Sequence, residues 1–102
     1  MELKTGSRWK SAVCATELAV VRPAKAPVVL ECGGRAVVAI GADRPADSMV
    51  APEHAAGTLL GKRYVDEDSG LEVLCTKPGA GSLAVDGRKL TLREAKRLPS
   101  SD

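Results

Sequence analysis

An internal repeat constrains this chain more than any other feature of its sequence. Gly6-Ser7-Arg8-Trp9 near the start returns as Gly61-Lys62-Arg63-Tyr64 past the middle, and Cys32-Gly33-Gly34-Arg35 has its counterpart in Val85-Asp86-Gly87-Arg88. The spacing of the matching positions is almost the same, so the two copies differ by only a small deletion. Because a unit this short rarely buries its own apolar side chains, we expect the two copies to pack on each other around one core.

The composition indicates one small globular domain and argues against several classes of function. Of the 102 residues 44% are hydrophobic, but with one Trp, one Tyr and no Phe the core must be built from Val, Leu, Ala and Ile. A net charge of +2, without aromatic residues among the basic ones, gives no support to nucleic-acid binding. No run approaches the roughly 20 apolar residues of a membrane span, and the first residues lack the apolar core of a signal peptide. We therefore expect a cytoplasmic protein that binds neither nucleic acid nor membranes.

Short apolar runs between turn residues predict an all-β fold. The predicted strands cover residues 18–21, 28–32, 37–40, 71–76, 82–85 and 90–92. Asp86-Gly87 fits a type I′ hairpin turn, which needs positive φ at both residues. We therefore expect Gly87→Val to destabilise the protein more than a substitution of Gly79, because hairpin geometry alone accounts for the glycines at 79 and 81.

The repeat frame resembles the desulforedoxin family, which includes the N-terminal domain of desulfoferrodoxin. These iron-binding modules carry an aromatic residue, a Cys-x-x-Cys-Gly motif, a Val-rich strand, a glycine-rich turn and a Cys-Cys-Gly motif. The second copy follows this order with Tyr64, Asp66, Ser69-Gly70, Gly79-Ala80-Gly81 and Val85-Asp86-Gly87, and the first with Trp9, Ser11, Cys14 and Cys32-Gly33-Gly34. The resemblance implies that Cys14 and Cys32 are two of four former iron ligands, the other two having become Ser11 and Gly33.

The resemblance also implies how the chain is organised. Two small desulforedoxin-like hairpin units in tandem would form one domain with pseudo-twofold symmetry, in which Trp9 matches Tyr64 and Gly34 matches Gly87. Residues 1–41 are the first unit, 42–57 a connector, 58–92 the second unit and 93–102 a C-terminal tail. The connector is rich in Pro, Ala, Asp and Ser, with a short helical turn at residues 52–55 as one option.

The loss of ligands favours a protein that is not an enzyme. Rubredoxin-type iron needs four thiolates, and neither copy supplies them. The leading prediction is a non-catalytic accessory or interaction subunit of a larger enzyme or complex, without a cofactor and with another protein as its partner. The alternative is a metal-binding or redox protein that uses Cys14 and Cys32, either as a dithiol or with zinc or iron that a homodimer could share. A third interpretation is purely structural, with both cysteines acting as small buried apolar residues.

The end of the chain is the predicted partner surface. Leu92 and Leu98 would anchor on the partner, and Arg93, Lys96 and Arg97 would meet its acidic groups, unless the tail is merely solvated. Two other reactive residues, Cys75 and His54, are predicted to have no chemical role. Cys75 is expected to be a core or edge thiol. His54 is expected to be an exposed loop residue, with a third ligand to the cysteine pair as the less favoured alternative.

Overall fold

A computed structural model describes residues 1–44 and 49–93 of the chain as short antiparallel strands in two sheets. The strands are, in chain order, β1 (Arg8–Lys10), β2 (Glu17–Arg22), β3 (Leu30–Cys32), β4 (Arg35–Ala36), β5 (Val38–Ala39), β6 (Arg63–Asp66), β7 (Leu71–Lys77), β8 (Leu83–Val85), β9 (Arg88–Lys89) and β10 (Thr91–Arg93). The predicted all-β fold class is confirmed. In the described part of the chain the one helical element is a 3-10 turn, Pro52–His54, and no helix there has the length and apolar character to cross a membrane.

Both sheets combine strands from the two halves of the chain. The six-stranded sheet has the order β10-β6-β7-β2-β1-β5, and the four-stranded sheet has the order β4-β3-β8-β9. The halves meet in the middle of each sheet, where Val20 lies opposite Val73 and Glu31 opposite Ala84. Each sheet is therefore completed only by pairing between the two halves. The predicted pseudo-twofold rotation is a further geometric property and stays a prediction.

One apolar core joins the two sheets. Leu18 and Val73 from the six-stranded sheet pack in the same cluster as Leu30 and Val85 from the four-stranded sheet, and all four are almost completely buried. Trp9, which is partly buried, packs against this cluster. The core consists mainly of Val and Leu, as the composition predicted, and burial of each such side chain contributes about 1.5–3 kcal/mol.

Two extended segments, residues 35–39 and 88–93, each contribute a strand to both sheets, and the predicted runs 37–40 and 90–92 cover only the second strand of each. In the run 37–40, Val37 lies buried between β4 of one sheet and β5 of the other, and its N–H donates to Leu30 O at 3.0 Å. Leu90 has the same place between β9 and β10, and its N–H donates to Leu83 O at 3.1 Å. Val37 and Leu90 thus each join a strand of one sheet to a strand of the other.

Four strands, β1, β4, β6 and β9, lie outside the predicted runs because they lack an apolar signature; β1 and β6 are the longer two. β1 carries Trp9 between two basic residues and pairs Trp9 with Leu18 of β2. β6 ends at Asp66, the first residue of an acidic run, and the turn occupies only the residues after it. Both strands are stabilised by pairing with longer apolar neighbours, which is a non-local effect.

The hairpin turn at residues 86–87 is confirmed. Asp86 has φ of 48° and Gly87 has φ of 84°, as a type I′ turn requires. The Asp86 carboxylate also accepts a hydrogen bond from Val29 N at 2.9 Å, which ties the turn to the segment that leads into β3.

Candidate functional site

Cys14 and Cys32, the two cysteines singled out by the repeat frame, lie side by side. Cys14 Sγ is 3.8 Å from Cys32 Sγ, and both residues are free thiols. Cys14 lies in the loop between β1 and β2, whereas Cys32 is the last residue of β3 in the other sheet. A disulfide needs a separation of about 2.05 Å, so a displacement of roughly 2 Å would join the sulfurs.

The loop that carries Cys14 is closed by hydrogen bonds at its base. Ser11 N donates to Thr16 O at 2.8 Å. Inside the loop, the buried Ser11 Oγ accepts from Val13 N at 3.1 Å and from Cys14 N at 3.0 Å. A serine hydroxyl that accepts hydrogen bonds from the backbone amides two and three residues ahead holds a tight turn in place. The Cys14 side chain is therefore presented from a fixed backbone.

A second turn, residues 78–81, approaches the sulfurs closely. Gly81 N donates to Cys14 Sγ at 3.4 Å. A Cβ on Gly79 would overlap Thr16 Oγ1 and lie 3.0 Å from Cys14 Sγ, and one on Gly81 would lie 2.8 Å from Gly33 Cα. Neither glycine has positive φ, so contact rather than turn geometry requires them. The expectation that hairpin geometry alone explains these glycines is wrong.

Threonine hydroxyls complete the surroundings of Cys14. The Cys14 thiol donates to Thr16 Oγ1 at 3.2 Å, and Thr16 Oγ1 is 2.7 Å from Thr58 Oγ1. Both threonines are buried. Sequence inspection missed them because a threonine in a β protein is ordinarily a strand residue, and only the fold brings residues this far apart into contact.

The two thiols differ in acidity. Burial raises the pKa of Cys14, but hydrogen bonds from the Ser11 and Thr16 hydroxyls and from backbone amides of Thr16 and Gly81 outweigh it and lower that pKa to about 7. Burial raises the pKa of Cys32 to about 12, with a further contribution from the neighbouring Cys14 charge. Cys14 is half-buried and Cys32 is fully buried. At neutral pH the outer sulfur is thus substantially thiolate and the inner one is thiol.

The other reactive residues lie near this pair with different surroundings. Cys75 is a core thiol, as predicted, and donates to Lys77 O at 3.2 Å. His54 is half-buried rather than exposed, because its ring packs over Gly34, 3.3 Å from where a Cβ would lie. Its Nδ1 is buried without a hydrogen-bond partner among the described residues. No group of three or more His, Cys, Asp or Glu within those residues is placed to hold a metal ion, and metal binding stays a prediction.

Asp66 and Ser69, which the repeat frame aligns with Ser11 and Cys14, belong to an ion-paired cluster. Asp66 Oδ2 accepts from Ser69 Oγ at 2.6 Å and from Arg88 Nη2 at 2.9 Å. The hydrogen bond from Arg88 is the main cause that lowers the pKa of Asp66, with Ser69 adding to it against the effect of burial. This cluster is a structural ion pair with no nucleophile.

The predicted partner surface falls only partly within the described residues. Leu92 is 37% exposed in β10. Arg93 Nη1 donates to Glu72 Oε1 at 2.6 Å, so its charge already has a buried partner within the fold. Lys96, Arg97 and Leu98 lie outside the described residues. Docking of another protein here stays a prediction.

Comparison with protein-family models, with curated proteins and with solved structures finds no match. The resemblance to the desulforedoxin family therefore stays a prediction from the residues quoted for it.

Proposed function

We propose that this protein carries out thiol–disulfide exchange, with Cys14 and Cys32 cycling between a dithiol and a disulfide. The observation that supports this most is the Sγ–Sγ distance of 3.8 Å between a half-buried and a fully buried cysteine. In thiol–disulfide exchange, one thiol attacks the substrate and a second thiol resolves the mixed disulfide. The more accessible Cys14 suits the first step, and the buried Cys32 beside it suits the second.

The reaction consumes a disulfide on another molecule. The Cys14 thiolate attacks one sulfur of that disulfide, whose S–S bond breaks and leaves the other sulfur as a thiolate, while a mixed disulfide forms on Cys14. Cys32 transfers its proton to the departed thiolate and attacks Cys14 Sγ, which releases the second substrate sulfur as a thiolate. The substrate disulfide is reduced by two electrons and the Cys14–Cys32 pair is oxidised by two.

The acidity of each thiol suits its step. An attacking thiol works best when its pKa lies near the ambient pH, and the pKa of Cys14 is about 7. Cys32 stays protonated before the first step because burial and the Cys14 charge raise its pKa. Formation of the mixed disulfide removes that charge, so the proton is lost more easily at the moment when Cys32 must attack.

This proposal develops the redox alternative and is compatible with the leading expectation of a partner protein. A protein disulfide would itself be the partner, and an accessory role in a larger complex stays a prediction. Zinc or iron at the two sulfurs, shared across a homodimer, is the competing use of the same residues. Metal analysis of protein purified without added metal separates the two.

Equilibration in glutathione redox buffers tests the proposal. Between about −320 and −150 mV, two of the three thiols should become protected from maleimide in one reversible transition, and peptide mapping should find a Cys14–Cys32 link. Cys14→Ser and Cys32→Ser should abolish the transition, and Cys75→Ser, the matched control, should keep it. Three thiols free at every potential, or one metal ion bound per four cysteine sulfurs, would overturn the proposal.

A further inference from the structure

A chain of hydroxyl groups leads from the reactive sulfur into the core. Cys14 Sγ is 3.2 Å from Thr16 Oγ1, which is 2.7 Å from Thr58 Oγ1. Burial raises the pKa of the Cys75 thiol, and the Thr58 hydroxyl partly counters this effect. Thr16, Thr58 and Cys75 are all almost fully buried, at 0%, 3% and 0% exposure. The chain is thus shielded from water.

The turn that contacts Cys14 also holds Thr58. Thr58 N donates to Gly79 O at 3.0 Å, and the two residues form an isolated β-bridge. Two residues farther along the same turn, Gly81 N donates to Cys14 Sγ. Thr58 comes just after the predicted connector, so one turn fixes a residue from the middle of the chain against a loop near its start.

We propose that Thr58 is a positioning residue for Cys14, which orients the Thr16 hydroxyl so that it donates to the Cys14 sulfur when that sulfur is a thiolate. This inference rests on the proposed thiol chemistry. In the thiol state, Cys14 donates to Thr16 Oγ1, Thr16 to Thr58 Oγ1, and Thr58 to Cys75. In the thiolate state, Thr16 donates to Cys14 Sγ and Thr58 donates to Thr16 Oγ1, while Cys75 donates to Lys77 O.

The reversal needs only rotation of buried O–H and S–H groups. Each oxygen keeps at least one partner in both states, which avoids the penalty of an unsatisfied buried hydroxyl. A hydrogen bond that a second hydroxyl supports is strengthened by polarisation along the chain. Without the Thr58 hydroxyl, Thr16 loses this support and its bond to the thiolate weakens.

The titratable and charged groups around Cys14 are paired or packed elsewhere or are themselves thiols, so the hydroxyls are the main side-chain donors to its sulfur. The titratable groups against it are Cys32 and, through the chain, Cys75. Glu17 at the start of β2 and Lys77 at the end of β7 pair with each other at 3.9 Å. His54, from the connector, packs on Gly34 instead.

The test is the pH profile of Cys14 alkylation by iodoacetamide in fully reduced protein, with the peptide that contains Cys14 quantified by mass spectrometry. Thr58→Val should raise the profile midpoint by about half a pH unit, equivalent to roughly threefold less thiolate at about pH 6, and Thr16→Val by about one pH unit. Thr58→Ser should restore the profile of the parent protein, because it keeps the hydroxyl.

Thr76→Val is the matched control. The Thr76 hydroxyl is buried on β7 with no hydrogen-bond partner in the described part of the chain, so the same chemical change there should leave the profile unchanged. An unchanged profile in Thr58→Val, an equal shift in Thr76→Val, or a shifted profile in Thr58→Ser would each overturn the inference. If Thr58→Val fails to fold, Thr16→Val still tests the chain, because an unchanged profile in that variant would also overturn the inference. Alkylation does not need disulfide cycling, so its result is independent of the redox titration.

Discussion

Replacing Gly79 by alanine should damage this protein more than replacing other turn glycines. A Cβ at residue 79 would overlap Thr16 Oγ1 and lie 2.5 Å from Thr16 N. The Thr16 backbone cannot move away easily, because its carbonyl accepts from Ser11 N and closes the loop. Overpacking costs about 1–3 kcal/mol, and a clash with backbone places Gly79→Ala near 3 kcal/mol.

Gly87 and Gly41 separate this overpacking from backbone strain. A Cβ at Gly87 would meet nothing within 4 Å, but its φ of +84° is left-handed, so Gly87→Ala should cost about 1–2 kcal/mol. A Cβ at Gly41 also meets nothing within 4 Å, and its φ is not left-handed, so Gly41→Ala should be nearly neutral. This order for Gly79 and Gly87 is the reverse of the one that turn propensities predict from the sequence.

Urea unfolding followed by the fluorescence of Trp9, the one tryptophan, measures all three variants. The midpoint should fall most for Gly79→Ala, less for Gly87→Ala and hardly at all for Gly41→Ala. Alkylation of Cys14 in folded Gly79→Ala should also slow near neutral pH, because the displaced turn carries Gly81 N away from the sulfur. Equal midpoints for Gly79→Ala and Gly41→Ala would refute the close approach of the turn to Thr16.

Three further predictions concern charge and the chain end. The pKa of Asp66 is lowered in the folded state, so its ion pair stabilises the protein above the unfolded-state pKa of about 3.9, and this stabilisation is lost as the pH falls through the folded-state pKa. Asp66→Asn should therefore lower the urea midpoint at neutral pH, and the difference from the parent protein should shrink in acid. A difference that stays constant with pH would contradict this. A chain ending at Arg93 should melt like the full chain, whereas one ending at Leu92 should melt lower. Without Arg93, the buried Glu72 (1% exposed) keeps Arg63 at 3.6 Å as its one ion-pair partner among the described residues. Equal melting of the two chains would show that the Arg93 contact is unimportant. A partner that binds through the tail should be lost from the chain ending at Arg93, and its retention would exclude the tail as the docking site.

Local signals were sufficient to predict the fold class and the sharpest turn. Short runs of Val, Leu and other apolar residues between turn residues predicted the all-β fold. Asp86-Gly87 predicted the hairpin turn, because residues of these two types accept the positive φ that the turn needs. The repeat frame singled out Cys14 and Cys32 among the three cysteines. Each of these predictions needed only residues within one short segment or a comparison between two such segments.

The contacts that define the site were not predictable in this way. Thr16 and Thr58 are 42 residues apart, and nothing local to either indicates that their hydroxyls are 2.7 Å apart. Gly79 resembles any turn glycine until the loop carrying Cys14 is packed against it. Arg93 resembles a tail residue until β10 pairs with β6 and brings it to Glu72.

The physical reason is the range of the interactions. Strand propensity and turn geometry depend on a few neighbouring residues, so the sequence by itself determined that this chain forms short strands around a Val- and Leu-rich core. The acidity of Cys14 instead depends on burial and on donors from Ser11, Thr16 and Gly81, which two sheets and two turns bring together. Only the tertiary structure decided that two otherwise ordinary cysteines should have pKa values of about 7 and about 12.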